Sequence, residues 1–292
     1  MSNLELRGAV LLVVIICVAH GVSWGIRSSL GNSNKSGSGA TLHGSSDADS
    51  LEQWTKKPWK LIGIFKGVET FVKSAPGGSG LHAFRGVTTI DAHISAATAH
   101  FYDVSLASEW IDMLHDIREY SWPVPTDAPP SDISSASEQD RLVYDQAHYA
   151  RSRSSRKLAP VTDTLQETDL VYEILDMPWP VAPRDMLLRR DFTYDYASKS
   201  VTIQYRSVED PVRSPRKPGT IRALSPHTLW RFKALPGGHT RLEIECLVDS
   251  GGSLPAMLIN FFQRSFPSKA LTAFGKLVKK NKVPPHRRVV DW

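Results

Sequence analysis

The stretch Pro183-Arg184-Asp185-Met186-Leu187-Leu188-Arg189-Arg190-Asp191-Phe192-Thr193-Tyr194 decides how this chain folds. Side chains alternate across a strand, so Met186, Leu188, Arg190, Phe192 and Tyr194 share one face, and Leu187, Arg189, Asp191 and Thr193 the other. The first set places an arginine among apolar and aromatic neighbours. In a dry core that is costly unless the charge is paired or wetted. Two arrangements relieve the cost: a cavity that holds a polar-headed apolar ligand, or an ion pair with Asp185, Asp191, Glu173 or Asp176.

Working outward, strand patterns recur at 170–175, 185–194, 200–208, 220–223, 228–234 and 241–248, with turn residues at 195–199 and at Pro236-Gly237-Gly238. Short links between strands predict a largely antiparallel meander. Leu242, Ile244, Cys246 and Val248 alternate with Arg241, Glu243 and Glu245, which predicts one wet face. The period then changes: Leu254, Met257, Leu258, Phe261, Phe262, Leu271, Phe274, Leu277 and Val278 fall mostly at steps of three and four, predicting one long helix over 254–278 kinked at Pro267. Upstream, 68–72 and 81–90 read as strands around the turn Pro76-Gly77-Gly78-Ser79-Gly80. Residues 51–66 read as a short helix or turn, and Ile94 to about Met113 as a helix with Asp91 as its N-cap.

At 292 residues, 41% hydrophobic and 22% charged, the chain can bury one sizeable core. The net charge of +5 and pI of about 9.1 suit an anionic membrane surface and are too diffuse for nucleic acid. Two cysteines, Cys17 and Cys246, offer no disulfide framework. The apolar run Ala9 to Ala19 predicts either a signal-anchor or a cleaved signal peptide over 1–27. A Ser/Gly-rich tether follows over 28–50, carrying the sequon Asn34-Lys35-Ser36. The chain is then membrane-associated and single-pass, in an endomembrane, or secreted if the segment is cleaved. One domain spans 51–283, with 123–168 a Pro/Ser-rich mobile insertion ending in a basic run, and 284–292 a basic tail.

Several pieces together resemble the StAR-related lipid-transfer (START) domain of the helix-grip superfamily: Phe84-Arg85-Gly86-Val87, Glu109-Trp110, Trp179-Pro180-Val181-Ala182-Pro183-Arg184-Asp185, Ile221-Arg222, and Val248-Asp249-Ser250-Gly251-Gly252-Ser253-Leu254-Pro255. The resemblance covers roughly 51–283. It implies an α+β fold, a curved antiparallel sheet wrapped around a long C-terminal helix with an internal hydrophobic cavity, and a lipid (phospholipid or sterol) as ligand. Arg190 falls where sterol-binding relatives place a cavity arginine, while the position of its acidic partner holds Val171, with Glu173 and Asp176 nearby. Met186, Leu188, Phe192, Tyr205, Trp230 and Phe232 are then the expected lipid contacts on the sheet, with Met257, Phe261 and Phe262 lining or lidding the cavity from the helix.

No HExxH, CxxC, GxSxG, P-loop or strand-borne GxGxxG motif is present. His93 and His100, seven apart, are a weak metal pair. No carboxylate stands in an apolar setting that would raise its pKa, so no catalysis, cofactor or metal is expected. The expected partners are a lipid and a membrane surface, for a domain that is monomeric. The alternatives are an enzyme of the same superfamily using Arg190, Glu173 and Tyr205, or a sensor that binds lipid without transferring it.

Overall fold

The structure, a computed structural model, describes residues 45–121, 164–280 and 282–292. The predicted N-terminal anchor or signal, most of the tether and nearly all of the insertion lie outside these residues. Among the described residues, no helix is long and apolar enough to cross a membrane.

The elements run α1 (Ser45–Thr55), β1 (Lys60–Phe65), β2 (Val68–Ser74), β3 (His82–Ile90), α2 (Ile94–Tyr102), a 3₁₀ segment (Val104–Glu109), β4 (Leu114–Ser121), β5 (Thr164–Leu175), β6 (Arg184–Asp195), β7 (Ser200–Ser207), β8 (Ile221–Arg222), β9 (Leu224–Leu235), β10 (His239–Asp249), α3 (Ala256–Arg264) and α4 (Phe266–Lys280). The strands form one ten-stranded sheet in the order β1-β2-β3-β10-β9-β7-β6-β5-β4, with β8 beside β6. Every pairing along that path is antiparallel, and only the short β8 runs parallel to its neighbour. The architecture is the α+β helix-grip arrangement: a large antiparallel sheet with a C-terminal helix laid across one face.

Two glycines set how closely that helix lies. A Cβ on Gly86 in β3 would meet Cβ of Pro267 at 2.8 Å and Cδ1 of Leu271 at 3.0 Å, and one on Gly275 would meet Cγ2 of Ile90 at 3.0 Å. Backbone therefore approaches side chain at both ends of the contact, nearer than any larger residue allows. Between helix and sheet, the Phe101 ring of α2 packs tilted at 5.1 Å from Trp230 and edge-on at 5.2 Å from Phe232, and Trp110 lies 5.4 Å from Phe274. Burial of such rings adds apolar area that holds the two layers together.

The opposite sheet face is also covered. Trp54 of α1 packs with Ala83 and Leu247, and Lys73 donates to the carbonyls of Trp54, Thr55 and Lys57 at the end of α1 (3.2–3.4 Å). Farther along, Tyr120, Leu170, Tyr172 and Leu187 form a second small cluster. The polar side of β10 is thus not simply wet: Glu243 is buried and paired with Arg85 at 2.8 Å and Arg231 at 3.0 Å, and Glu245 with His227 at 2.8 Å.

Several boundaries differ from the sequence reading. The first long helix ends at Tyr102, because Asp103 leaves helical geometry and its carboxylate accepts from the Ser105 N–H to start the 3₁₀ segment. Its N-cap is His93, not Asp91; that ring also donates to the Trp292 carbonyl at 2.8 Å, so it is engaged structurally. The C-terminal helix is two helices separated at Ser265, two residues before Pro267, since proline is compatible with a first turn and not with a helix interior. Residues 60–65 and 114–121 are strands that the sequence reading missed, and β9 extends well before Thr228. Residues 284–292 pack onto the domain: the His286 N–H donates to Ser95, Val289 is fully buried, and Arg288 pairs with Glu167 at 2.6 Å. Arg288 is therefore spent inside the fold and not presented as part of a basic tail.

Replacing Gly86 by Val should lower stability by about 1–3 kcal/mol through overpacking against α4, whereas Thr89→Val, exposed on the same strand, should stay within about 0.5 kcal/mol. Urea unfolding midpoints of the two variants test this.

Candidate binding cavity

Register decides which side chains look toward the helices. Directly opposed residues share a face, and β5 pairs with β6 through Asp169↔Arg190, Val171↔Leu188 and Glu173↔Met186. Arg190 is opposed in turn by Tyr205, Tyr205 by Thr228, and Thr228 by Cys246. The inner surface therefore carries Asp169, Arg190, Tyr205, Thr228 and Cys246 in one row, with Glu173 and Met186 displaced along the strands.

Arg190 is on the inner face, 2% exposed, and it is paired. Its Nε donates to Asp169 Oδ1 at 2.6 Å and its Nη2 to Asp169 Oδ2 at 2.8 Å and to Glu119 Oε1. Its guanidinium also lies over the Phe192 ring at 5.2 Å. Burial by itself would lower the pKa of this group, but the two carboxylates hold it well above the ordinary arginine value. The acids considered from sequence have other occupations: Asp185 binds Arg222 at 2.9 Å, Asp191 binds Arg189 at 2.8 Å, and Asp176 binds His115 at 3.0 Å. None of them partners Arg190.

A cavity of about 150 Å³ opens between this surface and the helices. Met186, Leu188, Tyr205, Trp230 and Phe262 line it, together with Trp110, Leu175, Met177, Cys246, Val248 and Phe266. Arg190, Phe192 and Phe232 are not among its lining residues. Phe232 belongs to the aromatic packing under α4, Phe192 sits 4.5 Å from Tyr102 at the other end, and Arg190 lies behind the wall with its carboxylates. Met257 and Phe261, at 65% and 42% exposure, face outward from α3. The helix contributes Phe262, Gln263 and Phe266 instead.

One wall residue, considered from the sequence as a partner for Arg190 or as an enzyme's acid, has a setting the sequence did not reveal. Glu173 is 8% exposed, lines the cavity, and has no hydrogen-bond or ion-pair partner among the described residues. Burial raises its pKa from 4.5 to about 7, opposed only by the nearby charge of Arg190. The expectation that no carboxylate stands in an apolar setting is therefore corrected. Inner-face alternation along β5 was the available signal, since it puts Glu173 four positions beyond Asp169 and level with Met186. Cys246 is likewise pushed up to about 12 by burial, and its thiol stays protonated.

Between pH 4.5 and 7 the folded chain retains the Glu173 proton that the unfolded chain releases, so rising pH favours unfolding through this group. Glu173→Gln should match wild type near pH 4.5 and exceed it by ~3 kcal/mol at pH 7 and above. Chemical denaturation across that range measures the difference; parallel pH profiles for the two proteins would contradict the burial of an uncompensated carboxyl.

The family model for the START domain matches residues 153–282. The chain is 24% identical over 222 residues to an uncharacterized protein of Pseudomonas aeruginosa, covering 76% of this chain and 87% of that one. Its fold is similar to the crystal structure of human STARD10, with 16% identity, TM-score 0.57 and coverage of 82% of this chain and 81% of that chain. It is also similar to human StAR-related lipid transfer protein 5, with 16% identity, TM-score 0.55 and coverage of 80% and 93%. A STAR-related lipid transfer protein from Xanthomonas axonopodis matches at 18% identity and TM-score 0.53, covering 77% of this chain and all of that fragment. The sheet order, the two-part C-terminal helix and the cavity between them are those of the helix-grip fold that these structures share, and within it residues 153–282 match the START-domain model.

Proposed function

We propose that this chain is a non-enzymatic lipid-binding and lipid-transfer module, which takes one lipid into the cavity between sheet and helices, with α3 as its gate. The observation that carries this reading is an interior left partly unfilled: aromatic rings occupy the space under α4, and a mainly apolar cavity remains beside α3. About 25 cal/mol is gained per Å² of apolar lipid surface removed from water, the driving force for taking a lipid out of a bilayer.

At about 150 Å³ the cavity is smaller than the roughly 300–1,000 Å³ of drug-sized ligand sites, so a lipid enters only if a wall moves. The wall that holds least is α3. It buries Leu258 and Ile259, against seven buried residues in α4. Its polar ties are Asn260 to the His82 N–H and the Gly80 carbonyl, and Gln263 to the Val248 carbonyl. Exposed Met257 and Phe261 on α3, and Trp179 at 80% exposure two residues beyond the lining Met177, suit contact with a bilayer surface. The segment 9–19 belongs to the same reading as a membrane tether, and use of the Asn34 sequon would report a lumenal location for the chain that follows it.

Glu173 favours a second reading, an enzyme with this carboxyl as general acid or base, because it titrates near neutrality. Its weakness is the absence of a matched partner: the Ser225 hydroxyl on the same wall is hydrogen-bonded to Thr228 at 2.8 Å, and Tyr205, held protonated by burial, lies beside the Arg190 cluster.

Native mass spectrometry of the full chain, exposed to a total lipid extract and washed free of micelles, should show one bound lipid. Leu175→Trp, which fills the cavity from the end of β5, should reduce that occupancy at least tenfold while the chain stays folded. A fluorescence assay of movement between donor and acceptor vesicles separates a carrier from a sensor. Absence of bound lipid from both proteins, together with no transfer, would sink the proposal.

A further inference from the structure

We propose that Glu173 reads the head of the bound lipid, and that the cavity accepts a lipid whose head is an uncharged hydroxyl or amide, rejecting a carboxylate or phosphate head. This rests on the lipid-binding reading above and adds the chemical class of the ligand.

The argument begins with β5. Its inner face carries three acids, Glu167, Asp169 and Glu173, at alternating positions. Glu167 accepts from Arg288 at 2.6 Å and from the hydroxyls of Tyr102 at 2.9 Å and Tyr194 at 3.2 Å. Asp169 takes the fork of Arg190. Two of the three are matched by a buried arginine, and Glu173, on the cavity wall, is matched by nothing. A buried carboxyl without a partner is costly, and a ligand head that hydrogen-bonds to it removes that cost.

The wall also says which heads fit. Among the described residues, no Lys, Arg or His lines the cavity. The guanidinium of Arg190 is shared between Asp169 and Glu119, and Asp112 on the rim already holds Lys269 at 2.7 Å. An anionic head would therefore enter beside a carboxyl and find no free cation. A protonated carboxyl offers one O–H donor and a carbonyl acceptor, the complement of a hydroxyl or an amide. A second wall residue, Trp110, has a buried indole N–H with no acceptor among the described residues, which an oxygen on the head would also satisfy.

The groups facing Glu173 are Arg190 on β6 with its two carboxylates, Tyr205 on β7, Cys246 on β10 and the Asp112–Lys269 pair at the rim. Burial holds the Tyr205 hydroxyl and the Cys246 thiol protonated, and Glu173 is the wall group whose pKa burial brings to about 7. Apolar chains displace water from around it and penalise its ionised form further, so the ligand prefers the protonated protein. Affinity for a non-titrating ligand then falls as pH rises past neutrality, by up to about thirtyfold between pH 6 and pH 8.5.

The test uses the full chain and four probes that share one fluorescent C12 tail and end in an alcohol, a primary amide, a carboxylic acid or a phosphate monoester, titrated at pH 6, 7 and 8.5. The alcohol and amide should bind at least tenfold more tightly than the acid and phosphate at pH 7, and should weaken with rising pH. Glu173→Gln, which keeps a donor and an acceptor, should still bind both and lose the pH dependence. Glu173→Leu should lose at least tenfold for both, with its circular dichroism unchanged. Equal binding of all four probes by wild type, or a pH profile that survives in Glu173→Gln, overturns this inference and leaves lipid binding standing. Failure of every probe at every pH overturns both.

Discussion

The buried guanidinium of Arg190 is the constraint around which the inner surface is arranged. Its charge is compensated by Asp169 from the adjacent strand and by Glu119 from β4, two strands away. Loss of one member of such a group costs about 3–5 kcal/mol, because the remaining charge is left buried. Three strands, one of them reached only after a long intervening segment of chain, are thus held in a single register by one side chain. The same arrangement also consumes the positive charge nearest the cavity. What remains on the wall is apolar surface, a few hydroxyls and one acid without a counter-ion.

Interior space is divided unequally along the last two helices. Beneath α4 the gap is filled by Phe101, Trp230, Phe232 and Phe274, and the backbone of Gly86 touches Pro267. Beside α3 the filling stops and the cavity begins. Stability and capacity are therefore assigned to different lengths of what the sequence presents as one apolar stripe, and Ser265 is where they part.

The inward face of β6 was legible because strand alternation is local: Met186, Leu188, Arg190, Phe192 and Tyr194 are all buried as read. The antiparallel meander followed from short, turn-rich links for the same reason. The partner of Arg190 was not legible, because it depends on the β5–β6 register and on β4, whose residues 114–121 lack a clean alternation and lie far away in sequence. The division of the last helix at Ser265 rather than at Pro267 was readable only approximately, since proline marks the start of the second piece. Met257 and Phe261 misled for a related reason. Steps of three and four identify a stripe, but not which side of it faces the sheet, and on α3 Phe262 turns inward while those two turn out. Glu173 needed three-dimensional knowledge of a different kind, namely that its two acidic neighbours on β5 already had arginines.

The close seat of α4 on Gly86 and Gly275 has a mechanical consequence. A helix pressed backbone-to-side-chain at two points, one near each end, can neither roll nor slide without collision, so it behaves as a fixed jamb. Under the lipid-carrier proposal, the side left to yield is that of α3, so loading and discharge would share one doorway. With one entrance, such a carrier would work as a ferry that leaves one shore before it reaches the next, and not as a bridge spanning both.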